Sequence, residues 1–286
     1  MADIFADFGS LGLGDLSSED LYKEPEKPVK PREAPVIKEM EPIGEKDVLF
    51  DKSYTCPVCD ETFKNKTIRT GKNRLLRIER DLRQVYTPVD QVKYDVVACP
   101  YCGYAALGRY FGTPTRMQVE NVRKTICANY RPQKWGEEYY TYEDARKRYQ
   151  LALANAMAKM AKSSEKAYIC LKTAWVLRGE RDALDKEMPD YEQAKKENED
   201  MEAQYLQQAF GGFVQARMKE TYPMCGMDEP TMDYLLAALA YEVGDLQTAS
   251  KMISTVLTSR SASSHIKDKT RDLKEEIVQA VKKSAQ

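Results

Sequence analysis

The stretch Tyr54-Thr55-Cys56-Pro57-Val58-Cys59-Asp60 has a near-copy downstream, Val97-Ala98-Cys99-Pro100-Tyr101-Cys102-Gly103. Each presents two thiols three positions apart, the spacing at which a tight turn aims both sulfurs at one point. Two such pairs can close a tetrahedral site of four thiolates. Proline after the first cysteine fixes φ and stiffens each turn. Gly103 can take the left-handed conformation that lets backbone N–H groups face the sulfurs. Asp60, at the matching place, is a weaker but tolerated left-handed residue. Residues 60–98 separate the pairs, roughly twice the usual interval of ~15–20. That length is no bar, because closure entropy grows only logarithmically. The competing reading is two unrelated pairs of buried or disulfide-bonded cysteines, but two identical C-P-x-C patterns favour a metal. Zinc is the expected ion, and a rubredoxin-like iron site is the alternative, since an all-sulfur tetrahedron suits both. Four protein ligands leave no open position, which points to a structural ion rather than a catalytic one.

Composition narrows the function. The chain has 286 residues, enough for one or two domains and a sizeable core. Lys and Arg number 44 against 45 Asp and Glu, so the whole chain is not an electrostatic binder of nucleic acid or membrane. Seven cysteines is an odd number. With four assigned to the metal, Cys127, Cys170 and Cys225 remain single, which fits a reducing compartment better than a secreted disulfide framework. The first basic residue is Lys23, so no charged region of a signal peptide is read. No run approaches the ~18–20 apolar residues of a membrane span. A soluble, cytoplasmic protein is expected.

Three regions follow along the chain. Residues 1–47 read as a disordered tail rich in proline and charge. Its first part, with Ile4, Phe5, Phe8, Leu11, Leu13 and Leu16, is a candidate docking motif. Residues 48–112 read as a small antiparallel zinc-ribbon-like module, with strands at 48–54, 66–70, 73–78 and 91–98. Its insert between the knuckles is basic over 64–83, including Arg74, Arg77, Arg80 and Arg83. A surface for nucleic acid or an acidic partner is one reading of it. Aromatic interleaving for base stacking is missing.

Residues 113–286 read as helical. Thr113 and Pro114 look like a cap and first-turn pair, and Thr141 with Asp144 makes a capping box. Asp190 opens a long helix that Gly211-Gly212 should kink or break. Residues 230–243 and 245–258, joined through Gly244, match the packing positions of a tetratricopeptide repeat, with Leu236, Ala237, Ala240, Ala249, Ile253 and Leu257 facing inward. A final helix, about 265–283, would cap the array. A generic helical bundle is the alternative. His265, the single histidine, sits in a serine-rich stretch and is expected to be exposed or capping rather than catalytic. No phosphate-binding glycine loop or H-E-x-x-H is present, and no small-molecule substrate is evident.

The run from Tyr54-Thr-Cys-Pro-Val-Cys through Lys72-Asn-Arg-Leu-Leu-Arg to Tyr94-Asp-Val-Val-Ala-Cys-Pro-Tyr-Cys-Gly-Tyr-Ala-Ala resembles bacterial domain-of-unknown-function family 2225. That family is similar in joining two C-P-x-C knuckles to a tetratricopeptide-like helical tail. The resemblance covers roughly residues 50–260 and implies metal binding at Cys56, Cys59, Cys99 and Cys102; it carries no activity. Asp60 departs from the glycine expected there.

The reading is therefore a mainly α protein: a zinc-ribbon-like module followed by a tetratricopeptide-like array. The expected role is a non-enzymatic adaptor that binds another protein through its helices, with Asp233 and Tyr234 as exposed contact residues. Arg74 and Arg77 are the next surface to consider. A nucleic-acid-associated factor and an iron electron carrier are the alternatives.

Overall fold

In the computed structural model, residues 44–112 and 114–284 are described. Nearly all of the tail expected over 1–47 lies outside them, as does Thr113. Among the described residues, six short strands precede seven helices. The strands form three two-stranded antiparallel sheets rather than one ribbon. In the first, β1 (Leu49–Thr55) pairs with β2 (Thr62–Ile68), Leu49 opposite Ile68 and Thr55 opposite Thr62. The second joins β3 (Arg74–Ile78) to β4 (Gln84–Thr87). The third joins β5 (Val96–Ala98) to β6 (Ala105–Leu107).

The expected strand over 91–98 begins instead as a 3-10 turn, Gln91–Tyr94. Asp90 caps it, its side chain accepting from Val92 N–H. Its helical φ/ψ lets the consecutive residues Val92, Lys93 and Tyr94 all be buried, which strict alternation would not allow.

The helices are α1 (Arg116–Val122), α2 (Tyr142–Ala158), α3 (Ser163–Asp182), α4 (Tyr191–Lys219), α5 (Glu229–Glu242), α6 (Leu246–Thr258) and α7 (Ser264–Ser284). The first helix starts two residues later than expected: Thr115 is the cap, its hydroxyl accepting from Gln118 N–H. A π-helical turn, Arg123–Cys127, continues it. Thr141 and Asp144 form the expected capping box on α2, each backbone N–H bonded to the other's side chain at 3.0 Å. Ala145, Tyr149, Ala152 and Ala156 of α2 are buried. Met160 is not; it lies past the helix end at φ 52° and is 79% exposed.

From α2 onward each helix packs against the next, and α7 also reaches back to α5. Gly211-Gly212 does not break α4, which runs unbroken to Lys219. A Cβ at Gly212 would stand 2.8 Å from Ala167 Cβ on α3, whereas one at Gly211 would meet open space. Gly212 is therefore a packing residue: it lets α3 and α4 approach more closely than any side chain would.

The main core runs from Val96, Ala98 and Leu107 of the third sheet through the inner faces of all helices from α2 to α7. Leu236, Ala237, Ala240, Ala249 and Ile253 are all buried in it, as are Leu273 and Ile277 of α7. Leu257 is partly buried against it. The side chain of Val281 falls outside the described set. Ionic contacts fasten strands to helices. Arg178 of α3 reaches Glu79 at 2.8 Å, Asp81 at 2.9 Å and Glu202 of α4 at 2.7 Å. Arg80 reaches Glu242 at 2.6 Å and also pairs with Glu276. Among the described residues, no helix is long and apolar enough to cross a membrane.

Candidate metal centre

Each knuckle is the turn of a β-hairpin. Residues 56–61 connect β1 to β2, and residues 99–104 connect β5 to β6. The two turns share their backbone bonding. Cys56 N–H donates to Glu61 O at 2.9 Å and Asp60 N–H to Cys56 O at 2.9 Å; Cys99 N–H donates to Tyr104 O at 2.8 Å and Gly103 N–H to Cys99 O at 3.2 Å. Both turns need a left-handed residue after the second cysteine, and both have one: Asp60 at φ 62° and Gly103 at φ 76°. Asp60 is exposed, so its side chain meets no obstacle. At Gly103 a Cβ would lie 2.4 Å from the Tyr130 ring. Glycine is required there for space as well as for dihedral angle.

These turns bring all four sulfurs within 4.8 Å of one another. Cys56 and Cys102 sulfurs are 3.6 Å apart, and those of Cys59 and Cys99 are 3.7 Å apart. A tetrahedron with metal–sulfur bonds of about 2.3 Å has edges of about 3.8 Å. The donor set therefore fits one four-coordinate ion. Cys56 and Cys99 are fully buried. None of the seven cysteines is in a disulfide.

The electrostatics ask for a cation. Hydrogen bonds from Cys102 and Cys56 hold Cys99 down to about 2. Cys102 is pushed far above its ordinary value by Cys56 and Cys99 and by burial. For Cys56, a hydrogen bond from Cys102 acts downward, but Cys99 and burial outweigh it and raise it to about 12. Without a positive charge at the centre, one thiolate is stabilised by neighbours that must stay protonated. A divalent ion supplies the charge that lets all four ionise. Backbone N–H groups assist. Those of Cys59 and Val58 point to the Cys56 sulfur, those of Cys102 and Tyr101 to Cys99, and that of Tyr104 to Cys102.

The helices hold each turn from outside. Arg123, on the π-helical turn, donates from Nε to Val58 O at 2.9 Å. Asn155 of α2 donates from Nδ2 to Gly103 O at 2.9 Å. Tyr104 donates to Phe111 O at 3.1 Å beneath the second turn. Such outer contacts fix ligand orientation. Their sequence positions carry no motif, since each depends on which helix passes the knuckle. Cys127 packs partly buried against the apolar cluster that surrounds Cys56, Cys99 and Cys102, and burial raises its thiol above the ordinary value. It stands outside the four-sulfur cluster.

The proposed partner residues fare differently. Asp233 and Tyr234 are not exposed: each is 2% accessible. Asp233 pairs with Arg217 of α4 at 2.6 Å. Tyr234 donates to Arg80 O at 2.9 Å. The helical pattern was read correctly, but α5 is covered on both sides, by α4 and by α6 with α7, so it has no free groove face. Cys225, another of the three single cysteines, is buried and donates to Ser164 O at 3.3 Å. The basic insert divides. Arg80 and Arg83 pair with carboxylates distant from β3, Arg83 in a buried position, while Arg74 and Arg77 stay exposed on β3, Arg77 beside the nearby Glu79 at 2.8 Å.

No match is found among curated proteins or solved structures. A family model does match residues 49–277, a span that holds the four clustered cysteines, both anchoring side chains, helices α1 to α6 and the first two-thirds of α7. The chain therefore belongs to the family described as an uncharacterized protein conserved in bacteria, DUF2225.

Proposed function

We propose that the four thiolates hold one zinc ion in a structural role and that the chain is a non-catalytic, zinc-stabilised adaptor. The observation that carries the first part is the closed, buried sulfur tetrahedron, which leaves no position for substrate. The ion would join two hairpins far apart in sequence, a cross-link rather than a reaction centre. Metal analysis should find one zinc per chain, and an absorption spectrum distinguishes it from iron. Removing the metal should abolish amide-exchange protection in residues 49–68 and 96–107. Full protection in the metal-free protein would refute the structural role.

The adaptor part rests on the β3–β4 hairpin. Leu75 and Leu76 are 42% and 50% exposed there, between Arg74 and Arg77. Paired large apolar residues on an open strand, flanked by cations, suit a protein segment that offers apolar side chains among carboxylates. Nucleic acid is the weaker fit, because Arg80 and Arg83 of the insert are engaged internally. Capture from nuclease-treated lysate should recover the same protein partner as from untreated lysate. Both L75S/L76S and R74E/R77E should lose it while melting as wild type does. Loss of capture on nuclease treatment alone would replace the adaptor with a nucleic-acid factor.

A further inference from the structure

A second site lies away from the thiols. Between the β3–β4 hairpin and helices α3, α5 and α7 is a cavity of about 340 Å³. That is the lower part of the range for small-molecule pockets, about 300–1,000 Å³. Its walls are apolar and aromatic: Leu82 comes from the hairpin turn, Leu171 and Trp175 from α3, and Ile266 from α7. The hairpin wall is fixed in place. Arg80, at its turn, binds Glu242 and lies 4.8 Å from the Tyr241 ring, and its carbonyl accepts from Tyr234. A cavity with pinned walls needs little reordering to accept a ligand.

The charges select the ligand. Two carboxylates line the cavity, and both are already neutralised. Asp81 accepts from Trp175 Nε1 and from Arg178, each at 2.9 Å. Asp95 pairs with Lys172, whose ammonium also sits 5.0 Å from the Tyr168 ring and 5.1 Å from the Trp175 ring. Lys269 lines the cavity too, one helical turn beyond His265, and has no carboxylate partner among the described residues. Both belong to the first turns of α7, where the helix dipole adds positive potential. An apolar, aromatic interior thus opens past an uncompensated cation.

We propose that this cavity binds a small organic anion: a flat body of one or two rings, seated against Leu171 and Trp175, with a single carboxylate directed to Lys269. The proposal does not rest on the metal centre or on the adaptor surface.

The probes are 2-naphthoate and its neutral analogue 2-naphthamide, titrated into the full-length, metal-loaded chain with methyl-labelled methionine. Met227 lines the cavity, whereas Met117, Met157, Met160 and Met218 are exposed outside it. The Met227 methyl signal should shift saturably with naphthoate while the four exposed signals stay in place. Naphthoate should bind at least tenfold more tightly than naphthamide. K269E should weaken naphthoate at least tenfold and leave naphthamide within twofold. No saturable change at Met227 at millimolar probe would overturn the site. Equal affinity for the two probes would overturn its anion preference, and that comparison in the unsubstituted chain stands even if K269E fails to fold.

Discussion

Replacing Gly103 by alanine tests the geometry of the metal centre most directly. Two costs add. The left-handed backbone at φ 76° disfavours a Cβ by roughly 1–2 kcal/mol. The new methyl would sit 2.4 Å from Cγ and Cδ2 of Tyr130, so the ring must swing away, an overpacking cost of about 1–3 kcal/mol. The sum is about 3 kcal/mol. If the second turn opens when metal leaves, all of it falls on metal affinity, a loss of about 100-fold. Competition against a chromophoric zinc chelator measures this. D60A provides the comparison: it has the same backbone conformation at φ 62° but is exposed, so it should lose no more than about tenfold. In a Y130A background the G103A loss should shrink toward the backbone cost alone, leaving only a tight contact of 3.0 Å with the remaining Cβ. If G103A and D60A lose equally, or if Y130A brings no relief, the ring contact is not what excludes a side chain there.

Three further outcomes are expected. In α4, G211A should gain up to about 1 kcal/mol from helix propensity, while G212A should lose about 1–3 kcal/mol against Ala167, both read by urea unfolding. The double substitution D233A/Y234A should lower stability by at least about 3 kcal/mol in the same assay, since it empties a buried site and strips Arg217 of its partner; a wild-type melt would contradict the burial described. R178M should cost about 3–5 kcal/mol at neutral pH, because it leaves Glu79, Asp81 and Glu202 without their shared cation. Burial acts to raise Glu79, but its hydrogen bond to Arg178 and the charges of Arg83 and Arg178 outweigh this and hold it below 4.5. That stabilisation is complete above pH 4.5 and lost as pH falls through the lower folded value, so the R178M deficit should narrow in acid; an unchanged deficit would show that the ion pair contributes little.

The four-cysteine cluster and most helices were legible because each rests on local signals. C-P-x-C fixes a turn within four residues. The box at Thr141 and the inward-facing positions of α5 and α6 are likewise read within one element each. What escaped the sequence is set by distant neighbours. Gly211-Gly212 looks like a break until Ala167 is seen to fill the notch at Gly212. Tyr234 looks like an outward residue until Arg80, far away in the chain, offers it a carbonyl. The arginines of the insert look alike in sequence, yet Arg80 and Arg83 meet carboxylates while Arg74 meets solvent. β4 lies outside the strands read from sequence for a related reason: it has only four residues, Gln84–Thr87, and its partner β3 identifies it as a strand.

A metal held by the four sulfurs would also act as a knot in the chain. By joining the hairpin turn at residues 56–59 to the one at 99–102, it would close a ring that contains the whole β3–β4 hairpin. A cross-link across a ring of this length removes about 4 kcal/mol of freedom from the unfolded chain. With the ion bound, the exposed Leu75 and Leu76 and the hairpin wall of the cavity would be carried on a loop tied at both ends. Loss of that ion would lengthen their tether without touching any residue they display, so the occupancy of a buried site sets how firmly a remote surface is held.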